Sequence, residues 1–225
     1  MIQANERICI FPEHQKMAVL VPDELQAAVS NLPHVEMRAP LALMPWSTEY
    51  CRLLANMGLE TNSAAPIRYS QLPLVEGQFQ PMSHQIATAA FVTMYPRCYV
   101  LNDPRTGKTG SLILAADYLQ RAQHVQGAWL IVTTVTTIHS VWAVSIQRTL
   151  PHARVGIAHG AQRNAVFNES YDYIVTNYDT CRLSRDVIMQ AIANGAIQGL
   201  IVDELTHVGN VTSQRHKAIA AMFQH

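Results

Sequence analysis

Along residues 81–225 apolar residues fall in short unbroken runs separated by stretches of helical periodicity. Ala128 to Thr133, Ala153 to Ala158, Tyr173 to Thr176 and Leu200 to Val202 read as strands. Cys98 to Leu101 reads as another, leading into a Pro/Gly turn. Between them the pattern predicts helices over 83–93, 110–120, 138–149, 185–194 and 214–223, with a short one near 163–168. Ser83 is placed to cap the first of these. Uninterrupted apolar strands alternating with helices predict a parallel sheet covered on both faces. Residues 1–75 have a different texture. Short apolar runs at 8–11 and 17–21 suggest a hairpin, and 34–38 and 39–44 further strand pieces. Helices open at Pro22-Asp23-Glu24 and at Ser47-Thr48-Glu49. Residues 63–79, rich in turn formers, read as a linker. The expected organisation is therefore a small α+β unit over 1–75 followed by an α/β domain over 76–225.

Composition permits a sizeable core, with 49% hydrophobic and 14% charged residues in 225. The formal charge is zero, so bulk electrostatics give no support for a polyanion partner. Residues 81–225 hold 11 basic and 8 acidic side chains, a mild positive surplus. Cys9, Cys51, Cys98 and Cys181 are scattered without a C-x-x-C pair, which argues against a zinc site and for a reducing compartment. The ten histidines show no ligand spacing. The N-terminus lacks the pattern of a signal peptide. The apolar runs fall short of the roughly 18 residues a membrane span needs. A cytoplasmic location is expected.

Two loops carry the chemistry. Asn102-Asp103-Pro104-Arg105-Thr106-Gly107-Lys108-Thr109 has the character of a phosphate loop, although Asn102 stands where the first glycine of the G-x-x-x-x-G-K-[ST] pattern belongs. Backbone N–H groups from Arg105 through Gly110 are candidates to cradle phosphates. Lys108 is expected on the β- and γ-phosphates, and the Thr109 hydroxyl on Mg²⁺. At the end of the last strand, Asp203 would orient the Mg²⁺ shell and Glu204 would activate the attacking water. Gln85 could pair with an adenine edge. Thr133, Thr134, Thr176 and Tyr178, at strand ends, could meet a nucleic-acid backbone. Trp142 reads as packing, and Arg215 and Lys217 as a solvated helix face.

These residues also fall into an ordered series. Pro81-Met82-Ser83-His84-Gln85, the loop 102–109, Leu130 to Thr134 with Trp142, Tyr171 to Asp179, and Ile201 to Asn210 resemble five successive motifs of superfamily 2 helicases. The closest likeness is to the first RecA-like domain of Swi2/Snf2-like translocases of phages and bacteria. Thr212 to Lys217 is similar to the helix that comes next in that family. The resemblance implies a RecA-like P-loop NTPase domain with a central, mostly parallel sheet, preceded by a small α+β accessory domain. It implies ATP and Mg²⁺ as cofactors and double-stranded DNA as partner. It also implies a second RecA-like domain, in a longer protein or a separate subunit, to supply the arginines that speed hydrolysis. Without it, slow hydrolysis is expected. Departures from the family pattern are Arg105 for a glycine of motif I, Thr206 for the usual His or Ser of motif II with His207 one place later, and Gly209 for a lysine. The rival readings are a non-catalytic nucleic-acid or protein-binding module and a phosphate-loop kinase.

Overall fold

A computed structural model describes residues 1–70, 80–103, 105–122 and 124–224. They divide into two compact units. One is formed by the N-terminal residues with Pro81–Ala115, the other by Ala116 onward. The boundary expected near residue 75 lies outside the described residues.

The first unit is built on an antiparallel sheet of β1 (Ile2–Asn5), β2 (Ile8–Phe11), β3 (Lys16–Leu20), β4 (Glu36–Arg38) and β5 (Leu41–Pro45), in the order β1-β2-β3-β5-β4. The register pairs Ile10 with Met17 and Met17 with Met44, and Ile8 with Val19 and Val19 with Ala42. All six are buried, while Cys9, Ala18 and Leu43 on the other face are only half-buried. This is the two-residue alternation of a sheet with one face on the core. Helices α1 (Asp23–Ser30) and α2 (Thr48–Asn56) add Val29, Cys51 and Leu54 to that core. Ser47 caps α2 by accepting the Tyr50 N–H.

Residues 63–70 are not a linker. They form tight helical turns, Asn62–Ala64 and Pro66–Tyr69, that bury Ala64, Ala65 and Ile67. The Trp46 indole donates to the Ala64 carbonyl at 2.8 Å, and its ring meets Tyr69 edge-on. Turn-forming composition here marks a chain that folds inward one residue at a time. Residues 71–79 lie outside the described residues. Helix α3 (Ser83–Met94) starts directly after Pro81 and Met82. Ser83 does not cap it. Met82 holds the cap position, and the Gln85 side chain accepts its N–H at 2.9 Å. At the other end Arg52 Nε donates to the Thr93 carbonyl at 2.8 Å, satisfying an end-of-helix acceptor. The run 98–101 is not a strand. It pairs with no strand among the described residues, and Tyr99 and Leu101 are exposed. Four apolar residues suggest extended chain, but only a paired ladder makes it a strand.

Helix α4 (Lys108–Arg121) opens at the loop and ends in the second unit. There β6 (Ala128–Thr133), β7 (Val155–Ala158), β8 (Tyr173–Asn177) and β9 (Ile197–Val202) form a wholly parallel sheet, ordered β7-β8-β6-β9. β6 and β8 are buried at every position. β6 runs into a π-helical turn, Ile138–Ala143, and then α5 (Val144–Thr149). Helices α6 (Tyr178–Leu183), α7 (Arg185–Ala193) and α8 (Gln214–Met222) contribute Cys181, Ile188 and Ile219 to a core shared with Leu130, Val132 and Ile174. On β9, Gly199 lies opposite Trp129, and a Cβ there would stand 2.2 Å from the indole ring. Among the described residues no helix is long and apolar enough to cross a membrane.

The register aligns the ends of these strands. Thr133 pairs with Asn177, Ala158 with Thr176, and Val132 with Val202. The segments leaving the strands therefore emerge along one edge, the carboxyl edge where open α/β sheets hold ligands.

Candidate functional site

The loop before α4 is held from below by α3. Asn102 Nδ2 donates to Thr88 Oγ1 at 2.9 Å, and His84 Nε2 lies 3.0 Å from the Thr106 carbonyl. Gln85 is 2% exposed, and its Nε2 donates to the Gly107 carbonyl at 3.3 Å. Gly107 has φ +76°, and a Cβ at this position would stand 1.9 Å from Gln85 Nε2. Glycine is thus needed here both for backbone conformation and for space. Arg105 also adopts positive φ, at 65°. The Thr106 hydroxyl closes the turn on the Asp103 carbonyl at 2.8 Å. Lys108, the first residue of α4, folds its ammonium back onto the carbonyls of Asn102 (2.9 Å) and Asp103 (2.8 Å). Thr109 and Gly110 come next in the first helical turn, half-buried. The first four N–H groups of any α-helix lack intrahelical partners, so this turn presents donors beside a cation.

Arginine at φ +65° carries a backbone penalty that glycine does not, about 1 kcal/mol or more. Arg105→Gly is therefore expected to raise the thermal midpoint slightly, despite glycine's greater chain entropy. A drop of several degrees in a melting curve would show that the guanidinium itself holds the loop.

The second loop comes after β9. Asp203 N–H extends the ladder by donating to the Val132 carbonyl at 2.9 Å. Its Oδ2 accepts the Trp142 indole N–H at 2.8 Å and the Thr133 hydroxyl at 3.3 Å. Tyr178 donates its hydroxyl to the Asp203 carbonyl, with the Glu204 carbonyl 3.3 Å away. Burial, and after it the charges of Asp203 and Glu204, pushes that phenol well above its usual range. Glu204 is exposed and left-handed, with φ 57° and ψ 59°. A short helical turn, Leu205–Val208, completes the loop. Thr206 on it is exposed, and the His207 side chain lies outside the described residues.

The SNF2-related domain family matches residues 84–225, more than half of the chain. The chain belongs to that family. No curated protein matches it. Among solved structures, the Sulfolobus solfataricus SWI2/SNF2 ATPase core in complex with dsDNA is similar with a TM-score of 0.52 and 19% identity, over 67% of this chain and 31% of that one. The UvsW helicase from Bacteriophage T4 is similar with a TM-score of 0.43 and 12% identity, over 92% of this chain and 88% of that one. The chain thus spans about a third of the Sulfolobus core's length. The superfamily 2, Snf2-like resemblance drawn from the motifs is borne out, and so is the α/β fold of RecA-like type with its parallel sheet.

Within this SNF2-related domain several expected side chains sit differently from the sequence reading. Thr133 and Thr176 are fully buried. The Thr176 hydroxyl donates to the Ala158 carbonyl at 2.8 Å, and that of Thr133 meets Thr137 Oγ1 at 2.6 Å. Tyr178 is 4% exposed and turned onto the acid loop. None of these three hydroxyls faces a surface that a nucleic-acid backbone reaches. The Thr133 and Thr176 hydroxyls face inward because these central strands are covered on both sides. Thr134 is half-exposed, and Val135 and Thr136 beside it are exposed. The Gln85 amide is engaged within the chain: Oε1 accepts the Met82 N–H at the start of α3 and Nε2 donates to the Gly107 carbonyl. Trp142 does more than pack, since its fully buried indole donates to Asp203. Sequence reasoning missed this role, and that of Thr137, because no local pattern distinguishes a packed tryptophan from one whose N–H finds a carboxylate 61 residues away. Arg215 pairs through two bonds with Asp179, at 3.0 and 2.9 Å, and joins α8 to α6.

Proposed function

We propose that this SNF2-related domain binds Mg²⁺-ATP and duplex DNA as the first half of a helicase-type translocase motor. The observation that carries the reading is the phosphate loop. A strained turn is braced by Gln85 and His84, and Lys108 heads a long helix with its ammonium held at the loop's own carbonyls. On phosphate binding the ammonium would exchange those neutral acceptors for charged oxygens, a stronger pairing. The backbone N–H groups of Arg105 through Gly110, with the Thr106 hydroxyl nearby, are the remaining donors.

Thr109 and Asp203 offer hard oxygen ligands. Magnesium prefers such oxygens and keeps several waters, so each is a chemically suitable ligand for it. Asp203 has one oxygen committed to Trp142 and Thr133, and no described residue donates to the other. When bound, the metal neutralises charge on the β- and γ-phosphates. Glu204, exposed at the start of the same loop, would orient the attacking water and take its proton. The DNA backbone would run along the exposed ends of the parallel strands, at Thr134 to Thr136. The Sulfolobus ATPase core, similar in fold, was captured in complex with dsDNA, which supports this choice of polymer. Residues 1–75 would act as an accessory domain to the RecA-like domain at 76–225. A second RecA-like domain, in cis or in trans, would complete the hydrolytic site.

The test is binding of a fluorescent ATP analogue with Mg²⁺, alongside anisotropy with labelled duplex DNA. Wild-type chain is expected to bind both. Lys108→Ala should weaken the nucleotide roughly 10- to 100-fold, as loss of a charge-assisted contact does, while leaving DNA affinity intact. Absence of nucleotide binding in the wild type, with DNA binding retained, would instead make the domain a non-catalytic binding module.

A further inference from the structure

A line of hydroxyl groups runs from the exposed end of β6 to the acid loop. Thr136 Oγ1 lies 3.1 Å from Thr134 Oγ1, which lies 2.8 Å from Thr137 Oγ1. Thr137 Oγ1 lies 2.6 Å from Thr133 Oγ1, which is 3.3 Å from Asp203 Oδ2. Trp142 Nε1 meets the same carboxylate oxygen at 2.8 Å. The π-helical turn at 138–143 begins directly after Thr137, the middle member of this line. Relative to an α-helix such a turn adds one residue, which rotates the side chains after it by about 100° around the axis. Trp142 lies within that turn.

Proton counting gives the line a direction. An ionised carboxylate only accepts, so Thr133 must donate to Asp203. Each hydroxyl has one proton. Thr137 has two acceptors in reach, Thr133 Oγ1 at 2.6 Å and the Thr134 carbonyl at 3.1 Å; with its proton on the shorter contact, Thr134 donates to Thr137 and Thr136 to Thr134. The buried end of the line is a carboxylate, and the open end is a half-exposed and an exposed threonine on a strand-end loop. A phosphodiester oxygen arriving at that loop is also an acceptor. It accepts a hydrogen bond from Thr134 or Thr136, whose hydroxyl protons otherwise point along the line. The line loses its outermost donor, and Thr133 donates less strongly to Asp203, because chained hydrogen bonds polarise one another. The carboxylate is then more negative on the side it offers to the magnesium shell.

We infer that Thr133, Thr134, Thr136 and Thr137 form a relay that couples phosphodiester binding at the β6 end to the strength of Asp203 as a magnesium-shell ligand, with Trp142 as the positioning residue that fixes that carboxylate. The inference rests on the proposed Mg²⁺-ATP and DNA binding. It adds that the two sites communicate within the second unit, through side chains that each hold a single proton.

Coupling between sites is reciprocal and readable as binding. Duplex DNA is expected to tighten Mg²⁺–nucleotide binding about fivefold in the wild-type chain, the low end of ordinary coupling. Thr137→Val keeps the side chain's shape and removes its hydroxyl; the DNA effect should fall to onefold while each ligand still binds alone. Thr137→Ser restores the hydroxyl and should restore the effect. Trp142→Phe should raise the Mg²⁺ concentration needed for half-maximal nucleotide binding, and leave metal-free nucleotide affinity unchanged. Circular dichroism melts identify any variant that fails to fold, and the Thr137 pair still decides if Trp142→Phe does. Retention of the full DNA effect in Thr137→Val, or no DNA effect in a wild type that binds both ligands, overturns the relay and leaves the proposed function standing. A wild type that binds neither ligand overturns the proposed function itself.

Discussion

Glu204→Gln is expected to leave Mg²⁺–nucleotide affinity within about twofold of wild type and to lower ATP turnover by roughly 10²- to 10⁴-fold, the usual contribution of a positioned base. The substitution is chosen for what it preserves. Glutamine is the same length and tolerates the left-handed backbone about as well as glutamate does, so the loop at φ 57° is not re-formed. Only the capacity to accept a proton is lost. Single-turnover measurements detect slow chemistry and separate it from binding. An unchanged single-turnover rate would remove Glu204 from the mechanism. A parallel loss of nucleotide affinity would move it to a binding role.

Glu204 and Arg105 share a backbone property. Among the described residues, four that are not glycine have positive φ: Gln15, His34, Arg105 and Glu204. Two of the four lie in the two loops that carry the candidate chemistry. Strained backbone of this kind persists where surrounding structure over-determines it, and it clusters at active sites. At Glu204 the conformation comes directly after a residue held by Trp142, Thr133, Tyr178 and the Val132 carbonyl. At Arg105 it precedes the turn braced by His84 and Gln85.

Much of this was legible in the chain itself. β6 is the run Ala128 to Thr133 because six consecutive residues suit a strand buried on both faces. The carboxyl-edge placement of Asp203 derives from its position after β9. Motif order led to the family. What failed did so where a side chain has two plausible partners, or a segment two plausible environments. Thr133 and Thr176 read as exposed strand ends, yet their hydroxyls found acceptors within the sheet. Gln85 read as a base-binding amide, yet its nearest acceptor is a carbonyl of the loop it serves. Residues 98–101 have a strand's composition and no ladder among the described residues. α6 was missed because its six residues adjoin β8 without a turn, and its start is signalled only by Asn177, whose Oδ1 accepts the Thr180 N–H at 2.8 Å.

Gly107→Ala is the substitution expected to damage the phosphate loop most. The new methyl group meets two separate penalties. At φ +76° an alanine pays about 1–2 kcal/mol of backbone strain. Its Cβ would also stand 1.9 Å from Gln85 Nε2, so the buried carboxamide must swing away and abandon the Gly107 and Met82 groups it satisfies. Leaving buried polar groups unpaired costs a further 1–3 kcal/mol or so. Together these predict a loss of about 2–5 kcal/mol. In a chain of this size that lowers the thermal midpoint by something on the order of 4–20 °C. Nucleotide affinity should fall at least tenfold or so with it, since the loop's N–H groups no longer converge. A double-mutant cycle isolates the clash from the strain. Gln85→Ala alone leaves the same groups unpaired, but in that background the methyl at position 107 enters vacated space and only the backbone term remains. The double variant should therefore be more stable than the sum of the single losses by about 1 kcal/mol, beyond the roughly 0.5 kcal/mol scatter of independent sites. Strict additivity in chemical denaturation would mean that Gln85 does not brace the loop. The 1.9 Å approach would then have no bearing on why glycine stands at position 107.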